Sequence, residues 1–356
     1  MNLNNLKQIE KLDQGKVAES IASLPQQIAD VLKQAEGFVL PESFKQIDRV
    51  VINGMGGSNL GARIISSVFK DEARVPVMIE PGYQVPGCVN DKTLYIISSY
   101  SGTTEEPLST LAEVKERGAK IVGLTEEGKG SKLAKILKEA GLPVLTFNSS
   151  ENPSGQPRLG VGYAIFALLA LLAQAGVIEI DQQEIAAIIA ALAKNNKLLG
   201  LKTGASNPAK QVAKKLFGRE VILVGAEFLE GNLHAWRNQF CETSKNFASY
   251  LVLPELNHYA LEGLAHPQQN KQDLIFVFLA SALYRPRIKK RSALTQEIVG
   301  KNRIKSVEIT LKGKTKLAQA AEALQLGSWI TFYLAMLNEV NPVSIKWVDY
   351  FKKRLS

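Results

Sequence analysis

Val50-Val51-Ile52-Asn53-Gly54-Met55-Gly56-Gly57-Ser58-Asn59-Leu60-Gly61-Ala62-Arg63-Ile64 is the stretch whose reading decides the fold. Three apolar β-branched residues read as a short buried strand, the glycines as a tight turn, and Leu60 to Phe69 as a helix. The same order recurs outward from it. Strands are predicted at Val75–Glu80, Thr93–Ser98, Lys120–Thr125 and Pro143–Phe147, with helices at Thr104–Arg117 and Ser131–Ala140. Strands alternating with helices imply a parallel sheet covered on both faces. A second series starts at the strand Glu220–Val224, passes the turn Gly225–Gly231 and enters a helix at Asn232–Phe240. Further strands are predicted at Ala248–Leu253, Leu274–Leu279 and Ser306–Thr310, and Ala318–Leu337 reads as one long helix or as two around Gly327. Gly54 and Gly225 hold matching places. The sequence therefore predicts two tandem α/β domains, each a parallel sheet flanked by helices. The expected divisions are an N-terminal helical segment 1–40, a first domain 41–155, connecting helices 156–195, and a second domain 196–356 with C-terminal helices.

Composition narrows the function classes. The chain of 356 residues is 46% hydrophobic and 22% charged, ordinary values for a globular protein. Cys88 and Cys241 cannot staple so long a chain, and no CxxC pair points to zinc. The opening MNLNNLKQIEKLDQ has no basic end followed by an apolar stretch, so the cytoplasm is the expected location. Leu159 to Ile178 lacks any charge and approaches the length of a membrane span. Its helical part, Tyr163 to Ala175, is too short to cross, and an apolar helix of that kind also suits a protein core, so no membrane is expected. The net charge of +9 is concentrated between Arg285 and Lys305, where eight basic residues face one acid, Glu297. No aromatic residue is interleaved with them and no nucleic-acid-binding motif accompanies them, so the stretch reads as a solvated basic edge rather than a nucleic-acid surface.

Five stretches carry chemistry. Glycines between a strand and a helix, as in Gly54–Gly61, let backbone N–H groups approach an anion. A dinucleotide would also need an acid about 20 residues on, and Glu80 is available. Ser98-Ser99-Tyr100-Ser101-Gly102-Thr103-Thr104-Glu105-Glu106 sets more hydroxyls at a helix start than capping requires, which points to a phosphate loop. Asn152-Pro153-Ser154-Gly155-Gln156-Pro157-Arg158-Leu159-Gly160 holds the only charge between Glu151 and Glu179. Arg158 there is either an oxyanion holder or a snorkelling surface residue. Gly231 to Asn246 ends its helix near Glu242, either a base or a salt-bridged surface acid. Leu253 to Tyr259 places His258 just beyond a strand, as a proton carrier or a satisfied turn histidine. His234 lies inside a helix and reads as structural, and His266 sits in a loop before Pro267. Histidines so scattered, without an HExxH pattern, give no reason to expect a metal site.

INGMGGSNLG, SSYSGTTEE, NPSGQPRLG, the ETSKN around Glu242 and the ELNH ending at His258 together resemble the sugar isomerase (SIS) domain family. More closely, the chain looks like the bifunctional phosphoglucose/phosphomannose isomerases of that family, along nearly its whole length as two tandem SIS domains. The resemblance implies aldose–ketose isomerisation of a sugar phosphate. It puts Gly57, Ser58, Ser99, Ser101 and Thr104 at the phosphate-binding positions. Glu242 matches the base that moves a proton between C1 and C2, and Arg158 the residue that steadies the enediolate. His258 and Lys346, the latter in Asn341-Pro342-Val343-Ser344-Ile345-Lys346, match the groups that open the sugar ring. The family's histidine crosses from the partner subunit, so the resemblance implies a homodimer, and it implies neither cofactor nor metal. A non-catalytic sugar-phosphate sensor on the same domain would keep the serine loop and lose Glu242 and His258. A nicotinamide-dependent oxidoreductase would use the first glycine turn instead. An aminosugar synthase would need a glutaminase with a nucleophilic cysteine at its start, which this sequence does not offer. No motif reports the room near C2 that accepting mannose 6-phosphate would require.

Overall fold

Apolar runs such as Val50-Val51-Ile52 and Thr93–Ser98 are fully buried, as strands covered by helices on both faces must be. The computed structural model describes residues 1–128 and 130–355. Among the described residues, nine strands form two wholly parallel sheets. The first holds β1 (Arg49–Gly54), β2 (Val77–Glu80), β3 (Thr93–Ser98), β4 (Lys120–Glu126) and β5 (Val144–Phe147), in the order β2-β1-β3-β4-β5. The second holds β6 (Glu220–Ala226), β7 (Ala248–Leu253), β8 (Leu274–Ala280) and β9 (Lys305–Thr310), in the order β7-β6-β8-β9. The chain divides into two compact units. The first unit is Ser23–Leu192 with Phe228–Asn232, and the second is Met1–Ala22 with Ala193–Glu227 and the chain from Leu233.

In the first unit, one face of the sheet buries Val51, Tyr95 and Ile97 against Val114, Leu133 and Leu137 from the helices that follow β3 and β4. The helix Val161–Gln174 packs against both Gly56–Val68 and Leu24–Ala35. Backbones come close there: a Cβ on Gly61 would lie 3.1 Å from the Ala164 carbonyl oxygen. This is the uncharged segment of the sequence, buried almost all round. Among the described residues no helix is long and apolar enough to cross a membrane.

Some local expectations change. The helix after the glycine turn begins at Gly56 rather than Leu60, which moves Gly57 and Ser58 into its first turn. The strand expected from Val75 begins at Val77, after Pro76, which has no N–H to give to a ladder. The helix expected at Thr104–Arg117 is two helices, Glu105–Ser109 and Leu111–Glu116. Thr110 stands between them, and its Oγ1 donates to the Pro107 carbonyl at 2.9 Å, a bond that competes with helix continuation.

In the second unit, Lys316–Leu337 is one continuous helix. Gly327 does not break it, because the indole of Trp236 occupies the space a Cβ would need, while the indole Nε1–H donates to the Ala323 carbonyl at 2.8 Å. The basic stretch forms the helix Pro286–Lys301, an element the sequence reading did not assign. Its buried stripe, Ile288, Ser292, Thr295 and Val299, has helical spacing but stands among basic residues. The first 22 residues belong to this unit. The helix Val17–Ala22 packs on Lys316–Leu337. The buried Lys210 ammonium donates to Asn4 Oδ1 at 3.1 Å, the Asn196 amide donates to the Ala22 carbonyl at 2.6 Å, and Gly15 lies against Val343.

Candidate active site

β1 and β3 are neighbours whose crossovers run in opposite directions, the point in an open parallel sheet where a crevice forms beyond the carboxyl ends. Gly54 ends β1 so close to β3 that a Cβ would lie 2.8 Å from the Ser98 carbonyl oxygen. Gly56 then takes φ +50°, a left-handed turn into the helix Gly56–Val68. Gly57 and Ser58 thus stand where the helix carries its partial positive charge. Ser58 Oγ is buried and accepts from the Tyr100 N–H at 2.8 Å, which ties the glycine turn to the loop after β3.

That loop is organised by its own hydroxyls. Ser99 Oγ donates to Thr104 Oγ1 at 2.8 Å and accepts from the Thr104 N–H at 3.3 Å. Ser101 Oγ accepts from the Thr103 N–H at 3.3 Å and lies 3.0 Å from Thr103 Oγ1. Gly102, at φ +66°, sits where a Cβ would run into the Ser131 hydroxyl. Ser99 is buried, Thr104 half-buried and Ser101 exposed.

The segment around Arg158 closes on both loops. A Cβ on Gly57 would lie 3.2 Å from the Pro157 carbonyl carbon and 3.4 Å from the Arg158 nitrogen. The Tyr100 hydroxyl accepts from the Asn152 amide at 3.2 Å, and burial pushes that phenol's pKa up. Arg158 is buried, and its Nη1 donates to Gln156 Oε1 at 3.0 Å. Gln27, from the helix Leu24–Ala35, is the residue the sequence reading missed. Its Nε2 donates to the Leu159 carbonyl at 3.0 Å and the Glu151 carbonyl at 3.2 Å, and its Oε1 accepts from the Gly162 N–H at 3.2 Å. One signal was available: a glutamine within the apolar stripe Leu24, Ile28, Val31. Gly57, Ser58, Ser99, Ser101, Thr104 and Arg158 therefore come together beyond β1 and β3. Hydroxyls and a helix N-terminus can hold a phosphate, and a buried guanidinium on the adjoining segment can hold an anionic oxygen.

In the second unit, Leu233, Trp236 and Phe240 are fully buried, as their spacing predicts, and Glu242 is the half-buried last residue of the helix Glu230–Glu242. Lys245, at φ +54°, folds back so that its Nζ donates to the Glu242 carbonyl at 2.6 Å and the Pro342 carbonyl at 3.3 Å. The Asn338 amide donates to the Ser244 carbonyl at 2.9 Å. The Glu242 turn is thus joined to the segment that leads into Lys346. Lys346 itself is exposed at the start of the helix Lys346–Leu355, its Nζ 5.1 Å from the Trp347 ring centre. His258 is exposed and ends the short turn Glu255–His258 after β7. His234, inside its helix, lies 3.3 Å from Arg237 Nη2 and edges the Tyr250 ring. The crevice beyond β6 and β8 differs from that of the first unit. There Glu227, just after β6, accepts at Oε2 from the Arg285 N–H at 3.3 Å at the start of the helix Pro286–Lys301, so a carboxylate of the chain joins the loops that follow β6 and β8.

Two family descriptions match the sequence: SIS domain over residues 43–174, and bacterial phospho-glucose isomerase C-terminal SIS domain over residues 205–355. A bifunctional phosphoglucose/phosphomannose isomerase of Caldicellulosiruptor bescii is 32% identical over 346 residues, 95% of this chain and 98% of that protein. The chain belongs to the bifunctional phosphoglucose/phosphomannose isomerase family. A member from Thermoplasma volcanium is 28% identical over 88% of this chain and 94% of its own length. The fold is shared with a solved structure of a hypothetical protein from Thermus thermophilus, at a TM-score of 0.73 and 18% identity, covering 98% of this chain and 94% of that one. Within this isomerase family's two matched regions, the SIS match contains Gly57, Ser58, Ser99, Ser101, Thr104 and Arg158, and the C-terminal match contains Glu242, His258 and Lys346.

Proposed function

We propose that the chain interconverts glucose 6-phosphate and mannose 6-phosphate with fructose 6-phosphate. The observation that carries this reading is the joining of three loops at one sheet end, through the Ser58–Tyr100 bond and the contact of Gly57 with Pro157–Arg158, in a relative of a named isomerase over 95% of the chain. Gly57 and Ser58, with Ser99, Ser101 and Thr104, hold the phosphate. His258 and Lys346 open the ring. Glu242 takes the proton from C2 of the aldose and returns it to C1, and Arg158 steadies the enediolate oxygen in between. Glucose 6-phosphate and mannose 6-phosphate differ only at C2, and removal of the C2 proton erases that difference. Both therefore pass through the same enediolate. A proton shift between adjacent carbons calls for no redox cofactor and no metal. The chain acts as a cytoplasmic homodimer, with His258 serving the partner's site; the exposure of His258 and of Tyr259 beside it supports this arrangement.

The test is an assay with fructose 6-phosphate as sole substrate and EDTA present, measuring both aldoses. Both products together are the expected result. Glucose 6-phosphate alone would narrow the substrate, and neither product from folded protein would overturn the proposal in favour of a sugar-phosphate sensor.

A further inference from the structure

The basic helix Pro286–Lys301 reaches the turn that carries His258. Asn257 is the link. Its Nδ2 donates to Thr295 Oγ1 at 2.8 Å, and its Oδ1 accepts from Arg291 Nη1 at 3.1 Å. Thr295 is fully buried, and its Oγ1 in turn donates to the Arg291 carbonyl at 2.8 Å. Both ends of the Asn257 amide are therefore fixed by one face of one helix. Leu256, the residue before it, is buried, and the Asn257 N–H donates to the Pro254 carbonyl at 3.0 Å. His258 follows directly, with its own side chain in solvent. To the turn's own backbone bonds the helix thus adds a side-chain fork, immediately before the exposed imidazole.

We propose that Arg291 and Thr295 are positioning residues that act through Asn257 to aim His258 for sugar-ring opening. The inference rests on the isomerase reading and on the role of His258 within it. Ring opening can be followed apart from isomerisation, because exchange between the α and β anomers of glucose 6-phosphate needs the ring to open but needs no proton transfer at C2. Displacement of a catalytic group by about an ångström costs on the order of 100-fold in rate.

Anomer exchange, followed by magnetisation-transfer NMR, and isomerisation kcat are measured in the full chain with Asn257→Ala, Thr295→Val, Thr295→Ser and His258→Ala. Binding of 6-phosphogluconate, an open-chain phosphate that needs no ring opening, is measured alongside. Thr295→Val keeps the shape of the buried side chain and removes the hydroxyl; Thr295→Ser keeps the hydroxyl. Asn257→Ala and Thr295→Val are expected to slow anomer exchange and kcat together by about 10- to 100-fold. Affinity for 6-phosphogluconate stays within about twofold in both, and Thr295→Ser restores the rates, since it keeps the acceptor that Asn257 needs. Wild-type rates in Asn257→Ala and Thr295→Val, beside a slow His258→Ala, would overturn the positioning role alone. Wild-type rates in His258→Ala would overturn the role of His258 itself. An equal loss of inhibitor binding in Thr295→Val would reduce the fork to a structural support and overturn the inference.

Discussion

Glu242 ends a helix whose core-facing residues are fully buried and whose last carbonyl is held by Lys245, so its carboxylate is placed without depending on a flexible loop. On the proposed reading, Glu242→Gln keeps the shape and removes the base. Turnover of fructose 6-phosphate is expected to fall by about 10²–10⁴-fold, the ordinary share of a general base. Binding of a phosphate-bearing inhibitor, measured by calorimetry, stays nearly unchanged; unchanged turnover would remove Glu242 from the chemistry. Arg158 is a second case in which residue type matters. Its guanidinium is buried and takes the Gln156 side chain as one partner. A lysine cannot reproduce its planar fork. Arg158→Lys is expected to lower kcat by at least about tenfold, since a lost oxyanion donor costs about 10²–10³. A wild-type kcat would show that no enediolate oxygen is held there.

At the scale of elements, the helix Leu24–Ala35 matters through one side chain. Gln27 satisfies two carbonyls and one N–H around Arg158. Gln27→Leu fills the space and leaves those groups buried without partners, at about 1–3 kcal/mol for a group so orphaned. The melting temperature should fall, and kcat should fall with it because the Arg158 segment loosens; a catalytic rate that holds while stability drops would separate the two. Such support was hard to read from the sequence. Gln27 works on backbone carbonyls more than a hundred residues along the chain, and a carbonyl leaves no trace in residue identity. The strand and helix order of both units was legible, because alternating apolar runs and glycine turns report a parallel sheet directly. The glycine turn, serine loop and Arg158 were legible as candidates for a different reason: each stands out by residue type. The helix Pro286–Lys301 was not, since its apolar stripe includes Ser292 and Thr295 and is crowded by basic residues. The break at Thr110 depends on a side-chain bond that residue type alone does not announce.

The whole molecule should respond to alkali through its buried tyrosines. Burial raises the phenol pKa of Tyr284 and of Tyr333 well above its ordinary value. Tyr333 donates to the Leu199 carbonyl at 2.6 Å, and Tyr284 accepts from the Ala226 N–H at 3.1 Å. In the unfolded chain these phenols ionise near about pH 10, while in the fold they keep their protons. The folded state then binds more protons than the unfolded one, so stability present below about pH 10 is lost as the pH rises further. Each tyrosine contributes a slope of up to about 1.4 kcal/mol per pH unit. Urea midpoints measured between about pH 8 and pH 11 should stay level with respect to these groups and then drop; Tyr284→Phe, which cannot ionise, should reduce the drop.

Residues 1–22 pack with the second unit, against Lys210, Asn196 and the helix Lys316–Leu337. A ribosome delivers a chain from its amino end, so these residues emerge long before the helix Lys316–Leu337 that they pack on. The first unit is complete once Asn232 has been made, and it can then condense while synthesis continues. Residues 1–22 meanwhile lack one of their partners until the helix Lys316–Leu337 leaves the exit tunnel. Their apolar residues, Leu3, Ile9, Val17 and Ile21 among them, are separated by polar and charged ones, so the segment offers no continuous apolar run to compete for the unfinished sheet ahead of its own partners.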